Sequence, residues 1–150
     1  NGNIVHGKAT AGQLGHITVD VNGETCLCGR RGCLETTSSG TALRRLTAAG
    51  GFADGTSVED LLSLPADAAR SVLRNWAQPL RAGIDSLVAA FDPERVVLGG
   101  GLGAAAVQAL EPFPARSPLS PWYQCDVVAA ALGDDAGVIG AAIASRRARR

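Results

Sequence analysis

From residue 66 to Phe91 the apolar side chains recur at steps of three and four, as Val72, Leu73, Trp76, Leu80, Ile84, Leu87, Val88 and Phe91. That spacing predicts the longest helix of the chain, with one face buried. Pro79 falls inside it and is expected to kink or divide it, since proline lacks the N–H a helix interior needs. Residues 1–20 (NGNIVHGKATAGQLGHITVD) instead alternate short apolar stretches with Gly and Asn. They predict β-hairpin material, with residues 6–8 as a turn and residues 16–20 as a strand. From Cys33 to Gly51 the pattern becomes helical, with Gly50 and Gly51 as its stop. Residues 56–64 predict a short helix, Thr56 and Glu59 standing at capping-box spacing.

Further along, the pattern shortens. Residues 95–98 (RVVL) read as a strand running into a glycine turn, and residues 104–110 as a weaker helix. Residues 111–124 hold four prolines and predict a surface connection. Residues 125–132 (CDVVAAAL) predict a buried strand, in which Cys125 is a small core residue. Residues 134–150 predict a final helix with acids near its start and arginines near its end, an arrangement that suits the helix dipole. Strand, helix, strand, helix in this order predicts an α/β fold.

With 150 residues the chain forms one domain or one lobe, long enough to bury roughly 68–70% of its unfolded surface without needing a metal to make a core. A formal net charge of zero argues against a broad nucleic-acid surface, and an aromatic content of 4% against base-stacking platforms. No apolar run reaches membrane-spanning length and no signal-peptide pattern opens the chain, so the expected compartment is the cytoplasm. There is no methionine, even at position 1, so the chain is expected to begin inside a longer reading frame or to be processed.

The chemistry concentrates in residues 15–35 (GHITVDVNGETCLCGRRGCLE), which hold three of the four cysteines and one of the two histidines. His16, Cys26, Cys28 and Cys33 stand in the spacing H-x9-C-x-C-x4-C. Three soft sulfurs and one imidazole match a closed tetrahedral zinc site with a structural role. Gly29 and Gly32 would let the loop fold back so that Cys28 and Cys33 face one ion. The alternatives are ordinary buried thiols beside an unrelated histidine, or a disulfide, which a chain without secretory features does not favour.

This run, GQLGHITVDVNGETCLCGRRGCLE followed by SSGTAL, resembles the signature of the ROK family of bacterial sugar kinases and sugar-responsive repressors. The resemblance extends to DPERVVLGGGLG and ALGDDAGVIGAA, and so covers nearly the whole chain. It implies an α/β fold, the C-terminal lobe of the actin-like ATPase architecture shared with hexokinase, with a zinc-bound loop. It further implies that residues 13–35 form the zinc and sugar loop, that residues from about 92 to 150 form the nucleotide side, and that the N-terminal lobe is absent from this chain. His16 would then be both zinc ligand and sugar contact, metal ligation at one ring nitrogen aiming the other. Glu35 would accept hydrogen bonds from sugar hydroxyls; without the resemblance it reads as a solvated acid in a first helical turn. Gln13 stands where the family's kinases usually place a sugar-binding Glu. It keeps an acceptor oxygen but loses the charge, which bears on sugar preference more than on fold. Gly99, Gly100 and Gly101 resemble the family's adenosine-binding turn, where backbone approaches the nucleotide; alone, they read as a tight turn.

The resemblance also defines what is missing. The family's Asp-Gly phosphate loop and general-base Asp have no counterpart here, and Asp54–Gly55 reads as a plain turn, so no catalytic residue is assigned to this chain. The expected parent is a kinase that phosphorylates a hexose or N-acetylated hexosamine, with ATP and Mg2+ bound only by the intact protein. The alternative is the sugar-sensing domain of a repressor with a helix-turn-helix in the missing part, the one case in which nucleic acid is a partner. Either way the expected partners are a small-molecule sugar, the missing lobe and further copies in a dimer or tetramer, and no membrane. A truncated, zinc-stabilised remnant is the third reading.

Overall fold

The computed structural model describes residues 7–113 and 125–148. Their helices are α1 (Leu34–Ser38), α2 (Gly40–Ala49), α3 (Val58–Ser63), α4 (Asp67–Phe91), α5 (Gly103–Leu110) and α6 (Ala136–Ala148). Strands β1 (Arg95–Leu98) and β2 (Asp126–Ala129) flank α5 in the chain. Single 3-10 turns lie at Leu14–His16 and Gly133–Asp135. Among the described residues no helix is long and apolar enough to cross a membrane.

The core is built on α4. Val72, Leu73, Trp76, Ile84 and Val88 are buried, as the helical period requires, and Leu80 packs against them. Phe91, at the helix end, is 70% exposed instead. Asp92 follows it in the left-handed conformation (φ 44°) and stops the helix, so the last turn leaves the packed face. Pro79 does not divide α4, which runs unbroken through it. Trp76 and Ala77 before the proline, and Ile84 and Val88 after it, bury in the same core, so packing holds both halves in one helix despite the missing hydrogen bond.

The helix expected from Cys33 to Gly51 is two helices. Ser39 breaks it with extended backbone (φ −84°, ψ 171°), and its hydroxyl accepts from Ala42 N, capping α2. The stop at Gly50 and Gly51 is as expected, Gly51 taking φ +78°. The cap of α3 is one residue from the expected pair. Ser57 and Asp60, not Thr56 and Glu59, form the capping box. That register turns Val58 and Leu61 inward, where they are 0% and 1% exposed.

β1 and β2 pair in parallel, Arg95 opposite Asp126 and Leu98 opposite Ala129. α5 connects them and packs against both strands, its Ala105, Ala106, Ala109 and Leu110 buried. This is the expected α/β arrangement. Val96, Leu98 and Val127 pack against the core, and Val97 of β1 is 58% exposed. In β2, Val127 and Val128 are half-buried while Asp126 and Ala129 are exposed, so β2 is a half-covered strand and not the buried one expected. Cys125 is half-buried against the core. The turn expected at residues 6–8 and the prolines of residues 114–124 lie wholly or partly outside the described residues, as do the last two residues of the arginine-rich end.

Candidate metal and sugar site

Residues 17–33 are a loop held by very little regular structure. The strand expected at residues 16–20 is absent, and the only ladder elements here are two isolated antiparallel bridges, Thr18 with Cys33 and Thr25 with Arg31. Backbone bonds close the loop on itself. Val19 N donates to Gly32 O at 2.8 Å, Gly32 N to Glu24 O at 2.9 Å, and Cys26 N to Arg30 O at 2.7 Å. Gly32 makes the fold-back possible. Its φ is +66°, and a Cβ there would lie 1.5 Å from the Asp20 carbonyl oxygen.

The loop gathers its sulfurs on one side. The donor atoms of His16, Cys26, Cys28 and Cys33 all lie within 4.8 Å of one another, close enough to hold a single metal ion. Cys26 Sγ is 3.6 Å from His16 Nδ1, and Cys28 Sγ is 3.6 Å from Cys33 Sγ. Cys26 and Cys33 are buried, Cys28 is exposed, and none forms a disulfide. The Arg30 main-chain N–H is the strongest influence on the Cys28 thiol and holds it down at about 6, against an opposing loss of hydration. The Arg30 guanidinium and the other two thiols add weaker hydrogen bonds in the same direction. Burial, reinforced by hydrogen bonding to Cys28 and Cys26, pushes Cys33 up to about 11.

Glu35 stands beside this cluster on the first turn of α1, whose N-cap is Cys33. Its Oε2 lies 3.6 Å from His16 Nδ1, so one ring nitrogen faces both a thiol and a carboxylate. Glu35 also opens onto a cleft of about 460 Å³, lined further by Glu24, Thr36, Ser39, Arg44 and Arg45. Arg45 spans it, pairing with Glu24 on the loop and donating to Thr36 O on α1 at 2.9 Å. Gln13 is exposed, precedes the 3-10 turn that carries His16, and makes no capping hydrogen bond. The structure thus brings His16 and Glu35 together, and leaves Gln13 off the cleft wall.

Gly99, Gly100 and Gly101 form the exposed turn from β1 into α5, Gly100 at φ +76°. Gly99 borders a smaller cavity of about 180 Å³ with Ser38, Trp76, Leu80, Leu98 and Leu102. The junction of α1 and α2 therefore separates two cavities, Ser39 facing the Glu35 cleft and Ser38 the glycine turn. Sequence reasoning passed over Arg30, Arg45 and this junction. Arginines in a loop and on an exposed helix face carry no periodic signal, and only the hydrogen-bond partners distinguish them.

An α/β chain with a cysteine–histidine cluster beside an acidic sugar-site candidate is defined by its relatives as well as its geometry. The sequence model of the ROK family matches residues 1–148, and the chain belongs to that family. It is 37% identical to a glucokinase of Halalkalibacterium halodurans, over 93% of this chain and 49% of that protein. It is 31% identical to an N-acetylmannosamine kinase of Haemophilus influenzae, over 90% and 45% respectively. Among solved structures it is similar to a ROK hexokinase from Thermus thermophilus, with a TM-score of 0.72 and 32% identity over 93% of this chain and 49% of that one. It also resembles a ROK transcriptional regulator, a homologue of the E. coli MLC protein, with a TM-score of 0.59 and 30% identity over 77% and 33%. The chain spans about half the length of the relatives it matches, and its fold is the actin-like ATPase architecture of the ROK hexokinases.

Proposed function

We propose that residues 1–150 are the C-terminal lobe of a ROK sugar kinase that phosphorylates a hexose or N-acetylated hexosamine with ATP and Mg2+. Residues 13–35 are its zinc and sugar loop and the part from about residue 92 onward its nucleotide side, while the phosphate loop and general-base Asp belong to an N-terminal lobe. The observation that carries this reading is His16 Nδ1, 3.6 Å from both the Cys26 thiol and the Glu35 carboxylate. The donor set and its spacing support zinc, since a tetrahedron with Zn–S bonds of about 2.3 Å has sulfur–sulfur edges of about 3.8 Å. A zinc ion held by His16, Cys26, Cys28 and Cys33 would supply rigidity to the loop, with no open position for chemistry. Were Nδ1 to hold the metal, Nε2 would keep the ring proton and could donate to a sugar hydroxyl, while Glu35 would accept from another. The backbone of Gly99, Gly100 and Gly101 approaches the nucleotide, and positioning supplies most of the rate.

A panel of hexoses and hexosamines incubated with ATP and the whole protein tests this directly. ATP-dependent phosphorylation of at least one is expected. If the bound sugar reaches residue 13 as in the family's kinases, Gln13→Glu in the same protein tightens sugar binding about fivefold, the roughly 1 kcal/mol by which a charged acceptor exceeds a neutral one. Unchanged affinity in a titration would mean that residue 13 points away from the sugar. The repressor reading draws support from Gln13 and from the likeness to the ROK regulator. It requires sugar binding without turnover and sugar-dependent release of DNA by the whole protein.

A further inference from the structure

We propose that Arg30 is the positioning and charge-balancing residue of the thiol–imidazole centre, a role carried out from the tip of the loop it crosses. The inference rests on reading His16, Cys26, Cys28 and Cys33 as a metal site. Three thiolates, a neutral imidazole and a divalent ion sum to a net negative charge, and Cys28 is open to solvent. A guanidinium beside them is permanently cationic, and its planar fork of N–H donors can serve several acceptors at once.

Arg30 is placed for that work by both its main chain and its side chain. Its carbonyl oxygen accepts from Cys26 N at 2.7 Å. Its Nη2 donates to the carbonyl oxygen of His16 at 2.8 Å. One residue thereby joins the two ligand-bearing segments that stand ten positions apart in sequence and whose donor atoms meet at 3.6 Å. Through its carbonyl and its guanidinium it therefore touches two of the four ligand residues, Cys26 and His16. Arg31 provides the contrast. It is the adjacent residue with the same charge, but its Nη1 donates to Gly23 O at 3.0 Å, across the neck of the loop and not onto a ligand residue.

The experiment is a zinc competition titration against a chromophoric chelator, with Co2+ spectra in parallel, on the whole protein and on Arg30→Gln, Arg30→Lys and Arg31→Gln. Outer partners of metal ligands typically contribute about 10–100-fold to affinity, and that loss is expected for Arg30→Gln. Arg30→Lys should recover most of it, and Arg31→Gln should stay within about twofold of the unaltered protein, since it leaves every outer partner of the ligands in place. In Arg30→Gln the sulfur-to-cobalt absorption should also move to longer wavelength, because the thiolates lose a neighbouring cation. A site that binds zinc equally well with glutamine at position 30 overturns the proposal while leaving the metal site intact. Equal weakening by the Arg30→Gln and Arg31→Gln substitutions, or failure of Arg30→Lys to recover affinity, overturns the assigned role of the charge. Absence of zinc binding by the unaltered protein overturns the metal reading itself, and the proposal with it.

Discussion

Replacing Cys26 with serine in the whole protein is expected to abolish zinc binding and sugar binding together. A neutral hydroxyl is a poor substitute for a soft thiolate, and the Cys26 sulfur lies 3.6 Å from His16 Nδ1. The loop has two isolated bridges and a few backbone hydrogen bonds with which to hold its shape. In zinc-finger peptides the ion contributes about 10–16 kcal/mol to folding, so its loss leaves such a loop without its main constraint. The buried cluster around α4 contains none of the four ligands, so the helices should keep their far-ultraviolet signal. Metal analysis, a calorimetric sugar titration and limited trypsin digestion together read the effect. Zinc content should fall from stoichiometric to background, sugar heat should vanish, and cleavage after Arg30 or Arg31 should become fast. Undiminished sugar affinity in a zinc-free variant would overturn the coupling through His16.

The cysteine–histidine cluster was legible because thiols are scarce in this chain and their spacing is short. Four donors within eighteen residues, with glycines between them, leave few ways to fold other than around a common centre. α4 was legible for a different reason, namely that its buried face repeats often enough for the period to be unmistakable. What escaped is local. Thr56 with Glu59 and Ser57 with Asp60 satisfy the same capping rule, and only the burial of Val58 and Leu61 selects between them. Ser38 and Ser39 interrupt a helical pattern that continues on both sides, so the break shows only in the backbone of Ser39. Residues 16–20 alternate like a strand, yet their backbone is committed to the turn into the sulfur cluster, where Thr18 finds a single bridge partner. Phe91 fits the period of α4 but lies where the helix stops.

Trp76→Ala is expected to have the largest effect on stability, about 3–5 kcal/mol. The indole is among the largest fully buried side chains, 1% exposed. Its Nε1 donates to Ser39 O at 3.1 Å, and the Trp76 carbonyl accepts from Ser38 Oγ at 2.7 Å, so α4 holds the α1–α2 junction from both sides. Alanine leaves a cavity and strips the Ser39 carbonyl of its partner, a loss that takes a large share of the roughly 5–15 kcal/mol a domain has. Trp76→Phe separates the two contributions, since it keeps an aromatic ring but removes the N–H, and should cost about 1–2 kcal/mol more than packing alone predicts. Urea denaturation of the whole protein measures both. The functional consequence follows from position. Ser39 lines the cleft of Glu35, while Ser38 and Trp76 line the cavity at Gly99, so loosening the junction disturbs both cavities, the proposed sugar and nucleotide sides, at once. Sugar and nucleotide affinities should therefore fall in parallel in Trp76→Phe, whereas Gln13→Glu should move the sugar affinity alone. If only one affinity moved in Trp76→Phe, the two cavities would not share that junction as their common wall.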